Sequence, residues 1–353
     1  MMRETASERL FLAKKLAALK SKVVEAITDE FFLNHPEALE RYGERGRQFC
    51  TTDCGFHIDF LCGALQAGSP DAFADYGRWT ARMLEFRSIP AHTLEQNFAQ
   101  LDKHLSAALL PEEAQTVSAF LALGQAACND HQKAEPASVP EPDGLELTRK
   151  VFLAAILAAQ RQAAVSIAEE ALRAGHSHID IYVGVFTEAL RQVGRLWESN
   201  KISIAQEHMA TSITQYAIAS IYPRLAPTDG NRGNMVVTGV SGEMHQIGAN
   251  LVADSMEAMG WSVRFLGSNL PHTSVLSAIE ESSASVLCIS TTIVANLPSV
   301  GELVRTVRNK LSARSPKIVL GGAAYRMVPK FAHEIGAEEV FTDLRTAIDC
   351  LCV

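Results

Sequence analysis

The chain has no apolar run of transmembrane length and no apolar signal core at its start, where Met1 to Leu19 mixes charges with apolar residues at helical spacing. No membrane span and no export are expected, and the reading is a cytoplasmic protein. Its seven cysteines, at 50, 54, 62, 128, 288, 350 and 352, form neither C-x-x-C pairs nor a zinc pattern with histidine. They read as reduced, small apolar fillers. Basic residues are outnumbered, 32 Lys and Arg against 40 Asp and Glu, for a net charge of −8. A nucleic-acid surface needs a basic patch to neutralise phosphates, so no direct nucleic-acid partner is expected. No basic helix-turn-helix is visible at either end, and any gene regulation would run through a partner. A dinucleotide fingerprint is also absent: the glycines of its strongest βα turn fall at 239, 242 and 248, which is not G-x-G-x-x-G.

What is present divides the 353 residues into four segments. Residues 1–130 read as an all-helical domain, with breaks at Asn34-His35-Pro36, Gly68-Ser69-Pro70, Ile89-Pro90 and Leu110-Pro111, and with Ser69 and Ser88 where caps are expected. In its centre Cys50, Cys54, His57, Leu61, Ala64 and Leu65 recur at helical spacing, which puts His57 inside an apolar stripe. That histidine is read evenly as a core side chain or as a pocket residue touching a planar pigment or ligating a haem iron. Residues 131–144 are Pro-, Ala- and Glu-rich and read as a linker. Residues 145–230 have the size of a four-helix bundle, and 231–353 alternate strand and helix. Five strands, at Met235–Val240, Ser262–Leu266, Val286–Ser290, Lys317–Leu320 and Glu339–Phe341, predict a flavodoxin- or Rossmann-like parallel sheet of order 2-1-3-4-5. The fold class is thus α plus α/β.

The turn after the first strand carries Gly242, Glu243, His245 and Gly248. Ligands of such sheets bind above the strands' C-terminal ends. A histidine there is either a solvated loop residue or a metal ligand whose other ring nitrogen is held by a carboxylate, here Glu243. Small residues recur at other strand tips: Ser290-Thr291-Thr292 after the third and Gly321-Gly322 after the fourth. They leave a slot that admits a flat group. In the bundle, Trp197 stands near a helix end and Ser203 caps the next helix, with Gln206 completing a capping box and Glu207-His208 following. Trp197 and the Glu207–His208 pair can meet around that corner.

Glu-x-His-x-x-Gly, Ser-x-Thr and Gly-Gly after three strands, behind a helical bundle, resemble cobalamin-binding modules over about Leu145 to the C-terminus. The resemblance implies a cofactor whose benzimidazole tail enters a slot lined by Gly242, Ser290, Thr292, Gly321 and Gly322, with His245 taking its place on cobalt and Glu243 orienting it. The family's commoner Asp is Glu243 here. Trp197, Glu207 and His208 resemble the Trp-x9-Glu-His signature of photoreceptors that bind 5′-deoxyadenosylcobalamin. In these, Trp and Glu cover the adenosyl group and the His reaches cobalt after light breaks the Co–C bond, which makes His208 a second candidate metal ligand. The N-terminal layout, with Cys54-x-x-His57, resembles the globin-like bilin-binding module of photocobilins. That implies noncovalently bound biliverdin with His57 a contact, and light changing self-association, as a homo-oligomer, or the docking of a downstream signalling protein. Such a sensor is no enzyme. The competing expectations are a corrinoid methyl carrier of a methyltransferase system and a haem-based sensor with an attached cobalamin domain.

Overall fold

The computed structural model describes residues 5–130, 144–225 and 232–351. The expected linker lies outside the described residues except for Gly144. Chain contacts divide the molecule into two units: Met1–Lys133 with Thr291–Lys310 and Ala323–Glu338, and Ala134–Ser290 with Leu311–Gly322 and Glu339–Val353.

The first unit opens with five helices: α1 (Ala6–Asn34), α2 (Pro36–Gln66), α3 (Pro70–Glu85), α4 (Ala91–Ser106) and α5 (Pro111–Cys128). Their starts follow the sequence signals, with proline in the first turn of α2, α3 and α5 and Ser69 capping α3 by accepting the Ala72 amide. Ser88 is not a cap. It takes a left-handed conformation after α3, and Pro90 precedes α4. The core is built from apolar stripes, among them Leu12 and Leu16 of α1, Leu61 and Leu65 of α2, Phe73 of α3, Phe98 of α4 and Leu121 of α5. Helices α3 and α5 meet at Gly77 and Gly124, where a Cβ on Gly77 would stand 2.7 Å from the Gly124 carbonyl oxygen. Two segments expected with the sheet group here instead. A Cβ on Gly63 of α2 would fall 2.0 Å from the carbonyl oxygen of Val294, so only glycine admits that approach. Arg9 pairs with Glu334, and Lys14 with Glu302 at 3.0 Å.

The second unit begins with the bundle: α6 (Glu146–Leu157), α7 (Arg161–Arg173), the single turn α8 (His178–Ile181), α9 (Glu188–Glu198) and α10 (Ile204–Ile221). The sequence predicts one α-helix over Ile179–Ser199. The structure interrupts it with a π-helix, Tyr182–Thr187, where the Thr187 hydroxyl donates to the Tyr182 carbonyl at 2.8 Å. The sheet follows as β1 (Asn234–Gly239), α11 (Ile247–Ala258), β2 (Ser262–Phe265), α12 (His272–Ser282) and β3 (Val286–Ser290). After α13 (Leu297–Leu311), which groups with the first unit, come β4 (Lys317–Gly321), the short helices α14 (Ala324–Met327) and α15 (Phe331–Glu334), also of the first unit, then β5 (Glu339–Phe341) and α16 (Leu344–Leu351). All strand pairs are parallel, in the predicted order β2-β1-β3-β4-β5. Bundle and sheet share packing, because Leu251 of α11 is buried with Tyr182, Val185 and Ile218 of the bundle. No helix among the described residues is long and apolar enough to cross a membrane.

Candidate functional site

Register places the site before any side chain is considered. Gly239 of β1 pairs with Ser290 of β3, which pairs with Gly321 of β4, so small residues stand side by side at adjoining strand tips. Gly239 completes that row, and sequence reasoning left it out. Gly322 follows in a left-handed conformation (φ 119°), its N–H donating to the Phe341 carbonyl at 3.1 Å. A Cβ at Gly248 would meet nothing within 4 Å, and one at Gly321 only the Phe341 oxygen at 3.6 Å. Open space beside these glycines suits a flat group entering between tips. Thr292 falls in the first unit, while Ser290, Gly321 and Gly322 belong to the second.

Beyond β1 the chain turns sharply, the Glu243 amide donating to the Val240 carbonyl at 3.0 Å with Gly242 left-handed (φ 87°). The turn drives Glu243 inward to 0% exposure and sets His245 outward, with 57% of its side chain open. One carboxylate oxygen holds the histidine twice, accepting its backbone N–H at 2.9 Å and meeting Nδ1 at 2.6 Å. A buried carboxylate beside Nδ1 favours the hydrogen on that nitrogen, which in the neutral ring leaves the lone pair on Nε2. The bond from Glu243 raises the His245 pKa above the ordinary imidazole value. Burial opposes this, and the charges of Glu243 and of Glu207 on the bundle add to the rise.

On the bundle side the corner forms as the sequence implies. Asn200 ends the turn after α9 in a left-handed conformation (φ 56°), and Ser203 with Gln206 forms the capping box of α10. Trp197 is half-buried at that corner. The Glu207 carboxylate accepts from the Thr211 hydroxyl at 3.0 Å and lies 3.4 Å from Nε2 of its neighbour His208, whose side chain is 73% exposed. A Cβ on Gly194, one turn before Trp197, would meet nothing within 4 Å. The bundle is tied to the helix that leaves the His245 turn: Tyr182 of the π-helix donates to Asp254 at 3.1 Å, Asn250 donates to the same oxygen at 3.0 Å, and Tyr222 donates to Glu257. Burial pushes the Asp254 carboxyl up to about 6, with Glu257 adding to the rise, while Tyr182 and Asn250 hold it back. Sequence reasoning missed this seam. Its signal was Asn250, Asp254 and Glu257 at i, i+4 and i+7 on an otherwise apolar helix.

His57 stands apart from all of this, in the first unit. It is 4% exposed, its Nδ1 lies 2.7 Å from the Tyr76 hydroxyl, and Phe98 packs edge-on at 5.2 Å. Burial drives its pKa down to about 4. The geometry is that of a neutral core histidine with the Tyr76 hydroxyl as its partner.

The donor set fits cobalt held from one side. A borderline nitrogen ligand with its second ring nitrogen fixed by a carboxylate is the arrangement that metal-bound imidazoles use. B12 binding domain models match residues 148–222 and 233–349, so both fall outside the five N-terminal helices. A corrinoid protein of Desulfitobacterium hafniense is 23% identical over 45% of this chain and 75% of its own length. Monomethylamine corrinoid protein 1 of Methanosarcina acetivorans is 28% identical over 49% of this chain and 81% of its own length. Methionine synthase of Mycobacterium leprae is 27% identical over 39% of this chain, which spans only 12% of that enzyme. The structure of the Methanosarcina barkeri monomethylamine corrinoid protein aligns over 59% of this chain and 99% of its own, with a TM-score of 0.53 at 21% identity, so the fold is shared.

Proposed function

We propose that this cobalamin-binding protein holds its corrinoid with the dimethylbenzimidazole displaced and His245 in its place, and that it works as a corrinoid carrier, presenting the opposite cobalt face to partner enzymes. The single observation that supports the reading most is the imidazole of His245, more than half exposed and bonded at Nδ1 to buried Glu243. Bound cobalt would supply an exchangeable methyl group. The chain's own residues would orient the ligand through Glu243 and admit the tail beside Gly242, Gly248, Ser290, Gly321 and Gly322 of the second unit. The relatives named as corrinoid proteins favour carriage over light sensing, and in this reading catalysis belongs to the partner. The test loads the chain with methylcobalamin and offers a thiol. With a corrinoid methyltransferase added, methyl transfer to the thiol supports the carrier, and a protein that keeps its methyl group under the same conditions refutes it.

A second reading keeps the photoreceptor. It is favoured by one specific arrangement, Trp197 at the α9 end with Glu207 and His208 at the α10 start, beside a glycine, Gly194, that leaves room. In it, adenosylcobalamin is the cofactor, Trp197 and Glu207 cover the adenosyl group, and His208 takes the vacated position after light. The N-terminal helices are then a globin-like module for biliverdin near His57, and light alters self-association or a signalling partner. Illuminating the adenosylcobalamin-loaded protein separates the readings. A permanent spectral change that His208→Ala alters supports the sensor; a spectrum indifferent to light removes it. A Soret band on adding haem would instead revive the haem sensor.

A further inference from the structure

The loop after β2, Leu266-Gly267-Ser268-Asn269-Leu270-Pro271, takes no part in the site as described so far, yet it grips the His245 turn at both ends. The β1–β2 pairing runs on past the strands: the Leu266 amide donates to the Val237 carbonyl at 2.9 Å, and the Gly239 amide to the Gly267 carbonyl at 2.8 Å. The approach is close enough that a Cβ on Gly239 would meet the Ser268 hydroxyl at 2.4 Å. From this anchored loop, Asn269 reaches back, and its Oδ1 accepts the Gly242 amide hydrogen at 2.9 Å. Ser268 sends its hydroxyl toward the His245 carbonyl at 3.5 Å. Asn269 itself is left-handed (φ 60°), a conformation that asparagine and aspartate tolerate better than other side-chain-bearing residues.

The turn carrying His245 is therefore fixed from two directions. Glu243 sets the ring and the backbone amide of His245 from inside the turn. Gly242, the third residue of the Val240–Glu243 turn, has a left-handed backbone whose N–H no strand partner takes, and the carboxamide of Asn269 supplies the acceptor. Without it the Val240–Glu243 turn loses its outside support, and Glu243 and His245 move with it.

We propose that Asn269 is a positioning residue for the lower axial ligand: by holding the Gly242 amide it sets where the Glu243–His245 pair presents Nε2. This rests on the reading of His245 as the cobalt ligand. The structure offers a clean pair of variants. Asn269→Gly keeps the left-handed backbone free of strain and removes only the acceptor, while Asn269→Asp keeps an acceptor oxygen at the same reach.

The experiment has a part that needs no cofactor. Amide hydrogen exchange in the cofactor-free chain should show the Gly242 N–H exchanging roughly tenfold faster in Asn269→Gly than in wild type, with Asn269→Asp close to wild type. In the second part the chains are titrated with cobalamin and then reduced to the Co(II) form, whose electron spin couples to the axial nitrogen. Cobalamin affinity in Asn269→Gly should fall about tenfold, within the range that partners of a metal-bound histidine command, and Asn269→Asp should restore it. Unchanged exchange and affinity in Asn269→Gly would overturn the proposal. So would faster exchange with affinity and axial coupling untouched, because the bond would then be structural only. A wild-type chain whose axial nitrogen is not histidine overturns the underlying reading as well, and the cofactor-free exchange data identify that case, since they follow Asn269 whatever the cofactor does.

Discussion

Two histidines of this chain have opposite surroundings. His57 is enclosed in the helical unit, 4% exposed, bonded to Tyr76 and held neutral with its pKa down to about 4. His245 is pushed into solvent by a turn, while the carboxylate that bonds it is wholly buried and raises its pKa. Burying the imidazole makes a packing element whose ring nitrogen is spent internally. Burying its partner, and leaving the ring open, makes a presented base with a fixed tautomer. If His245 is the ligand proposed above, a functional histidine is recognised by where its partner sits more than by its own environment.

The comparison breaks most severely at the presented side chain. His245→Ala should cost about a hundredfold or more in cobalamin affinity, measured by titration, while leaving the melting temperature of the cofactor-free chain nearly unchanged; an intact affinity would remove His245 from the site. Glu243→Gln should cost roughly ten- to a hundredfold in the same titration, because the amide no longer favours the Nδ1–H tautomer. At the enclosed histidine the signs reverse. Tyr76→Phe leaves the buried His57 nitrogen without its bond and should destabilise the chain by about 1–3 kcal/mol in denaturant unfolding, with no effect on cobalamin binding. A cobalamin defect in that variant would mean that the contrast drawn here is false.

A smaller effect sharpens the role of the seam between bundle and α11. The Asp254 carboxyl has a folded pKa of about 6, raised above its ordinary value. A raised carboxyl pKa favours the protonated form in the fold, so this contribution is present below about pH 4 and is lost as pH rises through 6. After allowance for the solvent that still reaches the group, roughly 1–2 kcal/mol should disappear between pH 4 and 7. Asp254→Asn should remove that slope, which paired unfolding curves at the two pH values would show; parallel wild-type and variant curves would deny the seam its buried charge.

The sheet was legible because three of its strands, β1, β3 and β4, are short apolar runs that end in glycine or serine, and the order β2-β1-β3-β4-β5 matches the reading. Ser203, Gln206, Glu243 and His245 were legible because capping and second-nitrogen chemistry act over two or three residues, a distance that sequence displays directly. Contacts made across the fold were not legible. Asn269 meets Gly242 from 27 residues away and Tyr182 meets Asp254 from 72. The π-helix escaped because Tyr182–Thr187 keeps an α-like apolar pattern, and the Thr187 hydroxyl bond to the Tyr182 carbonyl that accompanies it leaves no mark in that pattern. His57 could not be decided from its stripe because Tyr76 lies on another helix.

The most direct test of the central claim is electron paramagnetic resonance of the Co(II) cobalamin-loaded chain, grown with natural and with 15N-labelled histidine. If His245 is the lower ligand, the axial-nitrogen splitting changes from a triplet to a doublet on labelling and vanishes in His245→Ala. A triplet that ignores histidine labelling would show that the cofactor keeps its own benzimidazole on cobalt, and would contradict the account.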